Sequence, residues 1–519
     1  MPRAAGRSDG AGLRWGGGAV SAVLDALRRN ATERPGDIAL IGSDGALGYG
    51  ALEERVLKVA SSLLAGRARR CGMLLDNGIG WVVCDLAARW ARTPLVPIPT
   101  YFSPKQIAHV VAAAGIDMLI TDRMPTGLDV VSEQNVSALI GQSAMCLRLS
   151  PPRSTTLPGR TGKVTFTSGT TGLAKGICLS DATTDRVARS LLEASHGSAE
   201  DRHLCLLPLA TLLENIAGVD VPILAGAATA VPGLSEVGLS GSSQLDPQAM
   251  LAAIEKYAPT TIVTVPQTLA GLLFAVARSG RRPDRLRLIA VGGAPIAASV
   301  LEQAEALGLP VYQGYGLSEL GSVVAFNKSG ANRRGSVGRP LPHVDLRFAP
   351  DGEILVRGAV FEGHIGGGEA PQTVDGYWPT GDIGHLDQDG YLFLDGRKKN
   401  MFITAYGRNV APEWVECALS ASPAIAQAAV FGEARPWNAA VLVPHNGATT
   451  ASLELDVRRV NDSLPDYARV TRWIVAEEAF APSNGMATAN GRLKRDAVFA
   501  RYSAHLDRLY EEEAMTHVS

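Results

Sequence analysis

The 519-residue chain contains no CxxC pair; its six cysteines stand apart at positions 71, 84, 146, 178, 205 and 417. That scatter argues against a disulfide framework or a cysteine-rich zinc site and fits a reducing, cytoplasmic setting. An excess of charge is missing too, 49 basic residues standing against 51 acidic ones for a net −2. A nucleic-acid-binding surface shows as a basic surplus, so no nucleic-acid partner is expected, nor a strongly basic helix lying on a membrane. Long hydrophobic runs are absent. Stretches such as Ala217 to Val231 are short and broken by Gly and Pro, which argues against any transmembrane contact. Residues 1–18 have no apolar run; rich in Gly, Ala and Arg, they read as a disordered leader rather than a secretory signal. No internal repeat appears.

What is present is a large globular interior, with 46% hydrophobic and 19% charged residues. A chain this long exceeds one core, so two or more domains are expected. Strand-like and helix-like segments alternate, which predicts an α/β protein. Leu286 to Val291 (LRLIAV) is a branched apolar run ending at Gly292-Gly293-Ala294-Pro295, and a helical pattern follows from Ala297 to Leu307. Val311 to Gln313 leads into a second glycine-rich turn, Gly314-Tyr315-Gly316. Two strands that each end in a tight glycine loop suggest the ligand-binding edge of a parallel sheet. Asp351 to Gly358 and Asp389 to Leu394 instead carry DG turns and alternating residues, the pattern of hairpins in an antiparallel subdomain. A boundary falls near Gly396-Arg397-Lys398-Lys399. The expected organisation is therefore a large domain over 19–396, made of parallel α/β subdomains plus an antiparallel β subdomain, and a small mobile α+β domain over 397–519.

Lys163 to Gly176 (KVTFTSGTTGLAKG) is the most informative segment. A short strand runs into a loop in which Thr167, Ser168, Thr170 and Thr171 offer hydroxyl donors. Gly169, Gly172 and Gly176 let the backbone approach an anion, and Lys175 adds a positive charge. Such a loop can wrap a polyphosphate. The Walker motif requires Gly-Lys followed by Ser or Thr and fails here, where the order is Lys175-Gly176-Ile177. A plain flexible loop of small residues is the remaining alternative for this segment by itself.

The segment resembles the signature of the adenylate-forming superfamily, which includes acyl-CoA synthetases, luciferases and peptide-synthetase adenylation domains. It departs only at Ala174, where the family has proline. Other motifs agree in order over roughly residues 30 to 500. Tyr315-Gly316-Leu317-Ser318-Glu319 is similar to Tyr-Gly-x-Thr/Ser-Glu, and Tyr377-Trp378-Pro379-Thr380-Gly381-Asp382 to Tyr-x-x-Thr-Gly-Asp. The resemblance implies that ATP and Mg²⁺ bind here. Nucleotide contacts would come from Thr167 to Gly172 and Lys175 on the phosphates, and from Gly293, Ala294 and Pro295 along the adenine pocket. Gln313, Gly314, Tyr315, Gly316 and Ser318 would add the stacking ring and an α-phosphate hydroxyl. Asp382 would accept from the ribose hydroxyls, Arg397 would reach ribose or phosphate, and Lys399 would be the pivot of the small domain. Glu319 would hold the metal, a hard cation that takes oxygen ligands shared with phosphate. Gly407, Arg408 and the following residues to Glu413, with Glu416, resemble the loop that enters the site for thioester formation.

Two departures remain. The family's terminal Gly-Lys is here Gly491-Arg492, so Arg492 joins Thr170, Lys175 and Glu319 in the expected catalytic set. Arginine keeps the charge but is not a conservative exchange for lysine; Arg492 does the work, Lys494 replaces it by a shift of register, or adenylation is weakened. Within Leu207 to Glu214, Thr211 stands where long-chain enzymes have histidine, with Glu214 retained. The activity implied is ATP-dependent conversion of a fatty or other hydrophobic carboxylic acid to acyl-AMP, then transfer to CoA. Two alternatives stand beside it: loading of a separate acyl carrier protein, and a non-catalytic nucleotide- or acyl-binding protein.

Overall fold

The computed structural model describes residues 21–150, 155–167, 175–241, 244–366, 373–488 and 491–516. The leader expected over 1–18 lies outside them. The fold is mixed α/β, as expected. Parallel strands fill the middle of a nine-stranded sheet: Val311–Tyr315, Leu288–Val291, Thr261–Thr264, Arg202–Leu204 and Ala228–Ala230, side by side. Three of the four residues of Leu288–Val291 are buried. A strand covered on both faces has no polar side to write into its sequence, so it reads as a continuous apolar run.

The strand after it outruns its prediction. It continues through Gly314 and Tyr315, because these pair antiparallel with Phe326 and Ala325. The motif tyrosine therefore sits at the end of a strand rather than in a turn.

In an eight-stranded sheet, Lys163–Thr167 pairs antiparallel with Lys175–Leu179, from Lys163 opposite Leu179 to Thr167 opposite Lys175. The phosphate loop is thus the connection of a hairpin. Ser168, Gly169, Thr170, Thr171 and Gly172 lie outside the described residues. Further on, Val344–Phe348, Glu353–Gly358, Trp378–Leu386 and Leu392–Arg397 form a four-stranded antiparallel sheet. The DG-flanked segments belong to it, as their alternation predicts. The C-terminal part builds a three-stranded sheet from Ile425–Phe431, Asn438–Pro444 and Val470–Val475. Val498, Tyr502 and Leu506 of helix Arg495–Thr516 pack on it through Val441 and Val443.

Helix Asp181–Ser195 covers the nine-stranded sheet beside this edge. Ser180 caps it by accepting from Thr183 N at 3.3 Å, and His196 ends it in a left-handed conformation. Losing such a cap costs about 1 kcal/mol. The helix also contributes to a buried ionic network. Lys163 lies 2.7 Å from Asp85, while Arg89 is shared by Asp220 at 3.0 Å, Asp185 at 3.4 Å and Asp181 at 3.6 Å. Asn215 braces the first pair, accepting from Lys163 and donating to Asp85. Removing one partner of such a pair costs about 3–5 kcal/mol, since the other charge is left buried and alone. No helix among the described residues is long and apolar enough to cross a membrane.

Candidate active site

The C-terminal ends of Thr261–Thr264, Leu288–Val291 and Val311–Tyr315 open onto one cleft, the position where parallel sheets present ligands. Gly293 takes φ +84° in the loop that leaves the second strand. Gly293, Ala294 and Pro295 are exposed there, a backbone wall with little side chain. Gly316 has no alternative: a Cβ on it would come within 1.8 Å of Ser322 O. Ser322 itself holds a positive φ of 94°, rare for a residue with a side chain. Two residues after Gly316, the short 3-10 turn Ser318–Leu320 carries Glu319, anchored through its carbonyl, which accepts from Phe361 N at 2.8 Å.

Two distant motifs meet across this cleft. Tyr315 donates its hydroxyl to Asp382 Oδ2 at 2.6 Å, and Arg397 Nε lies 2.7 Å from Asp382 Oδ1. Each carboxylate oxygen keeps one lone pair for another donor. Burial pushes the Asp382 carboxyl above its usual range, and Arg397, Tyr315 and Arg492 oppose that rise. Burial, with Asp382 beside it, also drives the Tyr315 phenol well up, so the tyrosine remains a proton donor.

Arg492 completes the cleft from far along the chain. Its guanidinium donates to Gly293 O at 3.0 Å. The side chain stands at the open mouth with protein on its flanks. That partial loss of solvent and the nearby Arg397 lower its pKa, while Asp382 and Glu319 pull it up. Two guanidiniums and two carboxylates thus crowd one spot, with the arginines disfavouring each other until an anion arrives. Glu319, half-buried and within the field of Arg492, offers the hard oxygen donor that Mg²⁺ takes.

Lys175 is exposed at the start of its strand, Gln313 and Ser318 are half-buried, and Lys399 is exposed in the turn after Leu392–Arg397. Gly407 and Arg408 lie on the exposed tip of the hairpin Phe402–Ile403 and Asn409–Val410. Glu413 and Glu416 are not loop residues: both belong to helix Pro412–Ser420. Glu416 is buried against Arg495 at 2.8 Å and accepts from Val430 N at 2.6 Å, a role inside the C-terminal part. Burial raises its carboxyl to about 7 against the pull of Arg495.

From the cleft a narrow cavity of about 90 Å³ runs between the sheet and the helices that cover it. Its mouth is at Gly293 and Tyr315, and Leu191, Ala217, Val221 and Ala290 line its length. Ala217 comes from a π-helical turn, Ile216–Asp220, an irregularity that recurs at functional sites. Small and apolar walls of this kind suit the hydrocarbon part of a ligand.

Sequence reasoning missed His203. Its Nε2 lies 3.0 Å from Glu214 Oε1, and Thr261 Oγ1 sits 3.0 Å from Nδ1. The imidazole absent at Thr211 is therefore supplied to Glu214 from a neighbouring strand, and Glu214 is wholly buried rather than at an entrance. His203, Cys205 and Glu214 bring ligand atoms within 4.8 Å of one another. The existing His203–Glu214 bond already satisfies that group, and its nitrogen and sulfur donors do not suit Mg²⁺. The signal for His203 was faint, one histidine in the three-residue strand Arg202–Leu204 with no motif around it.

The chain is similar to known proteins. The model of the AMP-binding enzyme family matches residues 27–378, and that of the AMP-binding enzyme C-terminal domain matches 399–514. The long-chain-fatty-acid–CoA ligase FadD15 of Mycobacterium tuberculosis is 28% identical over 468 residues, covering 75% of each chain. The indoleacetate–CoA ligase of Aromatoleum aromaticum is 29% identical over 520 residues, covering 91% of this chain and 96% of that protein. Among solved structures, the o-succinylbenzoate CoA synthetase MenE of Bacillus subtilis with its acyl-adenylate superposes with a TM-score of 0.74 at 24% identity, over 91% of this chain and 97% of that one. The anthranilate CoA ligase AuaEII with anthranoyl-AMP gives 0.77 at 20% identity, over 93% and 97%. At those identities the superpositions bear on the fold.

Proposed function

The chain belongs to the AMP-binding enzyme family, and from that premise we propose that it is an AMP-forming acid–CoA ligase for a long hydrophobic carboxylic acid. The observation that carries this is the junction of two environments. A narrow apolar cavity opens at Gly293 and Tyr315, where Arg492, Arg397 and Asp382 gather. An acid lying along the cavity places its carboxylate at the arginines, which is where a phosphate must come. The relatives named above are CoA ligases acting on fatty, aromatic and ring-bearing acids, which supports CoA as the acceptor and leaves the acid to be read from the cavity. Nothing among them supports a carrier-protein partner.

The chemistry joins two anions, the carboxylate and the α-phosphate of ATP, so its barrier is largely one of charge and position. Arg492 offsets that repulsion with a fork that spans both. Asp382, held by Tyr315 and Arg397, keeps lone pairs for the ribose hydroxyls and orients the nucleotide. The loop 168–174 would supply further phosphate donors, with Lys175 at its exit. Mg²⁺, held by Glu319 when bound, would neutralise the phosphate oxygens. The exposed hairpin carrying Gly407 and Arg408 would enter only after the C-terminal part turns about Lys399, bringing the thiol to the mixed anhydride.

The test is mass spectrometry of purified protein with Mg-ATP and straight-chain and aromatic acids, with and without CoA. Acyl-CoA and AMP from the straight-chain acids are expected. Acyl-AMP that persists in the presence of CoA would refute the acceptor, and turnover of aromatic acids alone would refute the substrate class.

A further inference from the structure

The cavity does not end in hydrocarbon. Along the strand that lines it, Arg287 to Gly292 spans five steps of roughly 3.3 Å, so about 16 Å separates the charged cleft from the far end. There the lining turns polar: Ser195, Asp201, His203, Thr261 and Arg287 replace the leucines and alanines. A pocket meant only for a methyl-ended chain has no use for such groups, since each must be kept hydrogen-bonded at the expense of apolar wall.

These groups are held firmly. Arg287 Nε donates to Asp201 Oδ1 at 2.7 Å, Nη2 to Asp201 Oδ2 and, at 3.4 Å, to His196 O, and Nη1 to Ser195 O at 2.8 Å. Asp201 is fixed in turn by the Thr260 hydroxyl at 2.7 Å and Ser198 N at 2.9 Å. A guanidinium has five N–H donors, so one on Nη1 is not committed to these partners. Both nitrogens of His203 are taken by Thr261 and Glu214, but the Thr261 oxygen keeps acceptor capacity. The far end thus combines an N–H donor and hydroxyl oxygens on a rigid frame. Its net charge is near zero, because Asp201 compensates Arg287.

We propose that the acid this enzyme activates carries a neutral oxygen function, a hydroxyl or a keto group, at the end remote from its carboxylate, and that Arg287 with Thr261 reads it. This rests on the ligase reading above. A second carboxylate is disfavoured there, since the charge of Arg287 is already spent on Asp201. A site built to hydrogen-bond a substrate oxygen discriminates strongly against the analogue lacking it, because its polar groups are then left unpaired.

The experiment measures kcat/KM by pyrophosphate release, with Mg-ATP and CoA, for acids of equal chain length ending in methyl, hydroxyl, keto or carboxylate. The hydroxyl- or keto-ended acid should exceed the methyl-ended one by about 10-fold or more. That ratio should fall towards one in Arg287→Lys, which loses the planar fork, and separately in Thr261→Val. Turnover of methyl-ended acids with equal or greater efficiency, preference for the dicarboxylate, or a ratio that survives both substitutions overturns the assignment while leaving the ligase reading intact. Release of pyrophosphate with no acid at all overturns both.

Discussion

We propose Arg492 as the residue on which the chemistry turns, because its guanidinium reaches the Gly293 loop of the cleft from the C-terminal part of the chain. Desolvation and Arg397 lower its pKa, against the pull of Asp382 and Glu319. Arg492→Ala should depress acyl-adenylate formation by about 100-fold, the cost of losing one preorganised transition-state donor. Thioester formation from preformed adenylate should fall far less, and Arg492→Lys should restore part of the first step. Rapid-quench measurement of the two half-reactions checks this; equal losses in both would remove Arg492 from the adenylation step. Asp382 works differently, as a platform whose two oxygens are each half-used by Tyr315 and Arg397.

At the scale of elements, the π-helical turn Ile216–Asp220 separates two functions. Its Ala217 faces the cavity, while Asp220 points into the buried ionic network and Gly218 packs against His203 and Cys205 with no room for a Cβ. One extra residue in a helical turn is what lets neighbouring side chains serve both faces. Filling the cavity from this turn should shorten the acceptable acid. Ala217→Phe is expected to lower kcat/KM for the longest acids roughly 10- to 100-fold, in the range of pocket-size discrimination, with short acids little affected. A chain-length series on both proteins decides it, and a uniform loss across lengths would place Ala217 outside the acyl path.

The whole molecule adds two dependences that no single contact shows. Burial raises the Asp220 carboxyl to about 6, since Arg89 is shared among three carboxylates and Asp85 and Asp185 repel it. Its folded pKa therefore exceeds that of the unfolded chain. Its contribution to stability is fully present below about pH 4 and is lost as pH rises through 6. Relative to Asp220→Asn, the wild type should lose on the order of 3 kcal/mol between pH 4 and 7. Thermal melts of both across that range test the sign, and parallel curves would refute it. The second dependence follows from the movement we propose for the C-terminal part about Lys399. Lys398 N donates to Gly381 O and its side chain pairs with Asp351 and Glu353, so the chain is pinned up to that residue, with exposed Lys399 next. Lys399→Pro should slow turnover with CoA about 10-fold or more, as hinge changes do in enzymes limited by such steps, while sparing the single-turnover adenylation rate. Unimpaired thioester formation would move the pivot elsewhere.

Much of this was legible in the chain itself. Glycine loops after apolar strands announced the ligand edge of a parallel sheet, and DG turns announced the antiparallel sheet, because backbone conformation is a local demand that short sequences must meet. The motifs that carry Tyr315, Asp382 and Arg492 were visible for the same reason: each is a compact set of residues whose types suit phosphate, ribose or carboxylate. What a linear string does not carry is juxtaposition. That Tyr315 would bond Asp382, that Arg492 rather than Lys494 would lie on Gly293, and that Glu416 would be buried by Arg495 are outcomes of how strands and helices pack. His203 is the sharpest case, an imidazole brought to Glu214 from the strand Arg202–Leu204 after the expected position had gone to Thr211. The cavity belongs wholly to the tertiary structure, since its walls come from helices, a π-turn and several strands far apart in sequence. Local chemistry determined the reaction type; packing alone decided the space in which the acid must lie.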